Sequence, residues 1–199
     1  MISSIENKNR LLIIISSPSG AGKTTICKKI INQDTKIKLS ISHTTRPPRD
    51  NEINGVDYFF ESSDKFKNSI TDQSFLEYAK VFGNYYGTSK KTVKDLLSQD
   101  FDVLFDIDWQ GAAQILNSNL AKIVTIFLVP PSKEAVLERL RERSKETGDN
   151  YEAIQKRMTE YEKEMSHSNE YNYVLVNDDL EECVKKVIDI IDYERNLNN

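Results

Sequence analysis

The residues with the most chemical content stand in one run near the start of the chain, Ser17-Pro18-Ser19-Gly20-Ala21-Gly22-Lys23-Thr24. Small residues keep side chains clear of a bend in which successive backbone N–H groups can wrap a phosphate chain. A helix starting here would point its positive dipole end at the same anion. Lys23 adds a mobile charge suited to β- and γ-phosphates, and the Thr24 hydroxyl can ligate Mg2+. The spacing follows the phosphate-loop pattern G-x-x-x-x-G-K-[ST], with Ser17 in place of the first glycine. A small-residue turn with no ligand is the plain alternative. The apolar run 11–15 before it and the helical pattern after it argue for the phosphate loop.

A second constellation follows in Ser42-His43-Thr44-Thr45-Arg46-Pro47-Pro48-Arg49. Arg46 and Arg49 put two guanidiniums in a loop stiffened by prolines, and such forks match phosphate oxygens bidentately. Tyr58 and Tyr86 could add hydroxyl donors. The alternative is a solvated arginine pair bridging surface carboxylates. Farther on, Arg139 and Arg143 are four apart and so share a helix face, and Arg157 lies beyond a break at Gly148. Glu134, Glu138 and Glu142 are interleaved, which would suit a salt-bridged surface helix, the reading kept for Arg141. The two histidines, His43 and His167, fit no nucleophile or metal pattern. They read as a loop residue and a solvated helix end.

The elements that must position these groups follow from periodicity. Apolar runs at 11–15, 101–107, 123–129 and 173–176 predict strands, with a briefer alternating strand at 36–41. Helical patterns occupy 25–33, 89–98, 110–116, 132–143 with Ser132 as N-cap, 151–167 and 180–193. Between 42 and 87 the texture changes to short aromatic segments broken by Pro47-Pro48, Asn54-Gly55 and Phe82-Gly83-Asn84, with one helix at 63–70. Continuous apolar strands alternating with helices predict a three-layer α/β core around a parallel sheet, and the aromatic stretch a mixed-strand lobe inserted into it.

The chain has 199 residues, 29% of them charged and 38% hydrophobic, which suits a single globular domain. A net charge of -4 argues against a bulk polyanion such as DNA as partner. The apolar run at 11–15 is too short for a signal peptide or membrane span, and Cys27 and Cys183 read as reduced core thiols. A cytoplasmic protein with no nucleic-acid or membrane partner is expected, and oligomeric state, monomer or homodimer, is left open. Residues 1–9 read as a flexible tail.

The run Ser16 to Thr24, then Ser42-x-x-Thr45-Arg46-x-x-Arg49, Asn54-Gly55-x-Asp57-Tyr58 and Glu77-x-Ala79 resembles the guanylate kinase family. So do Gly83-Asn84-Tyr85-Tyr86-Gly87-Thr88, Asp106-Ile107-Asp108-x-Gln110-Gly111 and Val176-Asn177-Asp178-Asp179. The resemblance spans nearly the whole chain, in order. It implies a P-loop NTPase fold at 10–199, with a core at 10–36, 89–140 and 160–199, a GMP-binding lobe at 37–88 and a helical lid at 141–159. It also implies transfer of the γ-phosphoryl group of MgATP to GMP, and to dGMP, in purine nucleotide metabolism and GMP recycling.

Guanine offers donors at N1 and N2 and an acceptor at O6, so its site needs a carboxylate on one edge and a hydroxyl or N–H on the other. By resemblance Glu77 faces N1 and N2, Asp108 supports the N2 amino group, and Ser42 and Thr88 donate to O6. Arg46, Arg49, Tyr58 and Tyr86 take the GMP phosphate, and residues 17–24 with Arg139 hold ATP. Lys23, Arg46, Arg143 and Arg157 are the implied catalytic cations, and Thr24 with Asp106, the latter through a water, the implied Mg2+ ligands. No general base is needed, because the attacking GMP phosphate oxygen is already deprotonated. Two rivals stand beside this reading. A guanylate-kinase-like phosphopeptide-binding module would typically lack a working phosphate loop, and an AMP or pyrimidine kinase would not want the Glu77 pattern.

Overall fold

The computed structural model describes residues 10–148 and 150–197; the expected tail at 1–9 lies outside them. Five parallel strands form the core sheet in the order β2 (Ile37–Leu39), β7 (Asp102–Asp106), β1 (Leu11–Ser16), β8 (Lys122–Val129), β9 (Tyr173–Val176). All six residues of β1 are buried, which is why that strand reads as an unbroken apolar run. Its side chains alternate between two cores. Leu11, Ile13 and Ile15 pack with Ile26 and Ile30 of α1 (Lys23–Gln33) and with Val184 and Val187 of α7 (Leu180–Asn196). Leu12 and Ile14 pack on the other face with Val93 and Leu97 of α3 (Lys90–Ser98) and Ile115 of α4 (Trp109–Ile115). The three-layer expectation holds.

The inserted lobe is a mixed sheet in the order β4 (Phe59–Phe60), β3 (His43–Thr44), β6 (Asn84–Ser89), β5 (Phe75–Val81), with β3 parallel to β4 and antiparallel to β6. Its aromatic texture is its core. Phe66 of α2 (Ser63–Thr71) stacks on Phe75 at 4.5 Å and Tyr85 at 5.4 Å. Phe82-Gly83 turns the β5–β6 hairpin with positive φ at both positions, the backbone of a type I′ turn.

Several expectations need correcting. The strand at 37–39 pairs with β7 in the core sheet, so the lobe expected from 37 begins beyond Leu39. The helix expected to end at Arg143 runs on as α5 (Lys133–Thr147) until Gly148 adopts a left-handed φ of 68°. Ser132 caps it as expected, accepting from the Ala135 N–H. The next helix, α6 (Tyr151–Ser166), packs on α5 through Val136, Leu140, Ile154 and Tyr161. Both helices run unbroken through 140 and 159, so the lid edges expected at 141 and 159 fall inside continuous helices. His43 sits on β3, bonded to Glu61 and packed between Phe59 and Phe75, not in a loop. His167 is not a solvated end either: its ring stacks on Trp109 at 3.7 Å.

Candidate active site

The carboxyl ends of β1 and β7, the lobe and the α5–α6 pair enclose a cleft of about 1290 Å³. Open parallel sheets place ligands at this end of the strands. The phosphate loop leaves β1 and enters α1 directly, with Gly22 at φ 93° as the helix N-cap. The left-handed φ favours glycine there, and a Cβ at Gly22 would also lie 2.6 Å from Asn177 Nδ2 and push that amide off the Ala21 carbonyl. Asn177 Nδ2 donates to the Ala21 carbonyl at 2.6 Å, and Arg139 donates to the carbonyls of Ala21 (3.3 Å) and Asn177 (3.1 Å). The Ala21 carbonyl of the loop is thus held by two side chains, one from the end of β9 and one from the helix that follows β8. Ser17, at the irregular first position, is buried, and its hydroxyl closes onto the Pro18 carbonyl at 3.0 Å.

Lys23 Nζ lies 2.6 Å from Asp106 Oδ1 and donates to the Ile107 carbonyl at 2.9 Å. The Thr24 hydroxyl donates to the other carboxylate oxygen of Asp106 at 2.7 Å. Burial works against the Lys23 charge, but Asp106 outweighs it and holds the ammonium above its ordinary pKa. Lys23 therefore stays a cation. Thr24 and Asp106 together offer hydroxyl and carboxylate oxygen, the hard donor set that Mg2+ takes.

Across the cleft, Glu77 on β5 is 3% exposed and accepts from the Thr88 hydroxyl at 2.6 Å. Burial pushes the Glu77 carboxyl up to about 7; nearby Asp108 adds to that, and the Thr88 bond and Lys23 oppose it. Thr88 has one proton, here given to Glu77, so its expected donation to guanine O6 is not available in this arrangement. Asp108 is also partly engaged: as N-cap of α4 it accepts from the Gly111 N–H at 3.0 Å. Ser42, Tyr58 and Tyr86 line the same cleft, with the two tyrosine rings edge to face at 6.0 Å. Burial raises the Tyr58 hydroxyl pKa, so it stays a donor at neutral pH.

Arg46 and Arg49 also line the cleft. Arg46 Nη2 binds both oxygens of Glu52 at 2.7 and 2.9 Å, and the Arg49 N–H donates to Glu52 at 2.8 Å. The shared carboxylate partner fits the plain alternative of an arginine pair bridging carboxylates, but only Arg49 is partly solvated: its side chain is 31% exposed, that of Arg46 13% and that of Glu52 15%. From the helical side Arg143 and Arg157 reach the cleft. Arg157 Nη1 donates to the Ser19 hydroxyl at 3.1 Å, and its guanidinium lies 4.7 Å over the Phe82 ring.

Among the residues in or against this site, Glu52, Gly111, Glu164 and Asn177 make contacts that matter to it and carry no assignment from sequence. Gly111 and Asn177 sit inside the motifs quoted above, and that proximity is the one signal the sequence holds for them. A Cβ at Gly111 would stand 2.5 Å from Glu77 Oε2. Gly111→Ala is therefore expected to displace a side-chain end and not the backbone, leaving the fold intact. It should raise the KM for GMP about tenfold, roughly 1.4 kcal/mol, with the KM for ATP unchanged in steady-state assays.

A parallel sheet, a phosphate loop and a facing lobe with its own arginines and buried carboxylate define a P-loop phosphotransferase with two nucleotide sites. The guanylate kinase family model matches residues 8–194, and the chain belongs to the guanylate kinase family. It is 49% identical to guanylate kinase of Rickettsia prowazekii over 192 residues, covering 96% of this chain and 95% of that one. The guanylate kinase of Zymomonas mobilis is 48% identical over 185 residues, 93% of this chain and 84% of the other. The crystal structure of guanylate kinase from Anaplasma phagocytophilum superposes with a TM-score of 0.77 at 32% identity, covering 94% of this chain and 86% of that one.

Proposed function

We infer that the chain transfers the γ-phosphoryl group of ATP to GMP, giving ADP and GDP, the reaction for which its family is named. The observation that carries the specificity is the buried Glu77 carboxylate, placed by Thr88 and Gly111 in the same cleft as the phosphate loop. Guanine presents two donors to such a group, whereas adenine would bring an N1 acceptor and leave it unpaired. Sites built this way reject the wrong partner by roughly 10⁴-fold.

In the proposed mechanism Arg46, Arg49, Tyr58 and Tyr86 hold the GMP phosphate, with Glu52 yielding the two guanidiniums to it. Glu77 and Asp108 face N1 and the N2 amino group, and Ser42 serves O6. An oxygen of the GMP phosphate attacks the γ-phosphorus while the bond from that phosphorus to the β-bridging oxygen breaks and ADP leaves. No proton needs to be removed from the nucleophile, which accords with two histidines packed outside the cleft. Lys23, Arg143 and Arg157 counter charge on the transferring group, and Arg139 steadies the adenine side of the loop. Mg2+, when bound by Thr24 and through a water by Asp106, would neutralise the β- and γ-oxygens. We include dGMP as substrate, because base and phosphate, the parts these groups recognise, are common to both. The proposed setting is cytoplasmic purine metabolism and GMP recycling, where the buried free thiols Cys27 and Cys183 stay reduced.

A coupled ADP-release assay with MgATP and each nucleoside monophosphate in turn tests this. Turnover is expected with GMP and dGMP and not with AMP, CMP or UMP. No turnover with GMP, or equal turnover with AMP, would overturn the assignment.

A further inference from the structure

Ser19 is gripped twice by the same helix. Its hydroxyl accepts from Arg157 Nη1 at 3.1 Å, and its backbone N–H donates to Glu164 Oε2 at 3.0 Å. Arg157 and Glu164 are seven residues apart on α6, two turns of helix, and so project from one face. Glu164 is a costly choice for this place. Its carboxylate stands beside a loop meant for phosphates, and burial pushes its pKa up. An anion beside an anion site must be offset by something it does for the loop or for the helix. The helix gains most. α5 and α6 share only a small apolar cluster of their own, and the bond from Ser19 to Glu164 ties the far end of α6 directly to the phosphate loop. With one end of that helix face fixed, the turn carrying Arg157 is set in register over the cleft.

We propose that Glu164 is a positioning residue for phosphoryl transfer, clamping α6 onto the Ser19 N–H so that the Arg157 guanidinium is delivered to the reacting phosphates. The proposal rests on the role given above to Arg157. What the clamp requires of residue 164 is an acceptor for one N–H, which a neutral amide oxygen also supplies.

The test is a double-mutant cycle on the full chain with kcat, KM for GMP and melting temperature measured throughout. Glu164→Leu removes the acceptor and is expected to lower kcat about tenfold, with KM for GMP within twofold of the parent. Glu164→Gln keeps an acceptor oxygen and should recover most of that loss. Combined with Arg157→Ala, Glu164→Leu should cost little further, because both act through one guanidinium. Parental kcat in Glu164→Leu, an equal loss in Glu164→Gln, or losses that simply multiply with Arg157→Ala would each overturn the clamp. Should Glu164→Leu melt too low to assay, Glu164→Ala, which also removes the acceptor, combined with Arg157→Ala decides by the same multiplication rule. An Arg157→Ala enzyme with parental kcat would instead remove Arg157 from the mechanism, and the clamp with it, and is recognised without any change at 164.

Discussion

Replacing Lys23 by Met is expected to lower kcat about 10²- to 10³-fold, a loss of ~3–4 kcal/mol in transition-state stabilisation, while the protein still folds. The stem of Lys23 is mostly buried, with 18% of the side chain exposed, and Met fills that path with a similar apolar chain. What is lost is the ammonium that bridges Asp106 and the Ile107 carbonyl. Asp106 keeps the Thr24 hydroxyl as a partner at 2.7 Å, so it is not stranded. The KM for ATP should move far less than kcat, because the loop's backbone N–H groups remain and the missing charge matters most as negative charge develops on the bridging oxygen. Lys23→Arg should not restore activity fully: a planar fork cannot follow the point charge in a bend this narrow. Single-turnover rates with saturating ATP and GMP, beside a thermal melt, check the split. A folded Met variant within threefold of the parental rate would take Lys23 out of the transition state.

Why Lys23 is legible from sequence while Glu164 is not is a matter of range. The phosphate loop is spelled by its own backbone, since the left-handed bend at Gly22 strains any residue with a side chain, and all its parts are neighbours in the chain. The central strand β1 is equally legible, because burial on both faces leaves an unbroken apolar run from Leu11 to Ile15. The three residues of β2 could edge either sheet by pattern alone; only pairing with Asp102 to Leu104 decides it. Ser19 and Glu164 are 145 positions apart, and nothing in a helix rich in glutamates marks one of them as reaching a loop. Glu52, a short step from Arg46 and Arg49, is hidden differently: one carboxylate among several in a polar loop, with Asp50 and Asp57 close by, looks like any surface charge until its geometry is seen. Spacing puts Arg139 on one helix face with Arg143 and says no more. Its two bonds to loop carbonyls arise from a meeting of α5, the loop and the residue after β9 that no local pattern encodes.

Glu77 should give the second large effect, with opposite signs on binding and on stability. With the carboxyl raised to about 7 in the protein without nucleotide, roughly half the molecules carry it protonated at neutral pH. Guanine offers it two N–H donors and needs the ionised form, so the KM for GMP is expected to rise as pH falls below about 7, approaching tenfold per pH unit. The GMP phosphate titrates too, near pH 6, but equally for parent and variant. The parent-to-variant ratio therefore isolates Glu77. Glu77→Gln should raise the KM for GMP roughly 10²-fold at pH 8, since one guanine donor meets an amide N–H₂ in place of an anion. The penalty should shrink toward pH 6. Stability runs the other way. A carboxyl whose pKa is higher folded than unfolded binds the extra proton in the native state. The parent is therefore most stable below the unfolded value of about 4.5 and loses stability as pH rises to about 7. That loss is on the order of 3 kcal/mol, because each tenfold difference in proton affinity between the folded and unfolded chain is worth about 1.4 kcal/mol. Gln carries no such cost and can still accept from Thr88, so at pH 8 the variant should melt higher than the parent, and near pH 5 the two should converge. Melting curves and GMP saturation from pH 5 to 8.5 on both proteins suffice. A KM ratio flat across that range would mean the guanine-facing carboxylate lies elsewhere, and a variant that melts lower at pH 8 would mean that burial does not hold the Glu77 carboxyl above its ordinary range. If both trends appear, the buried charge that weakens the fold is the one that selects the base.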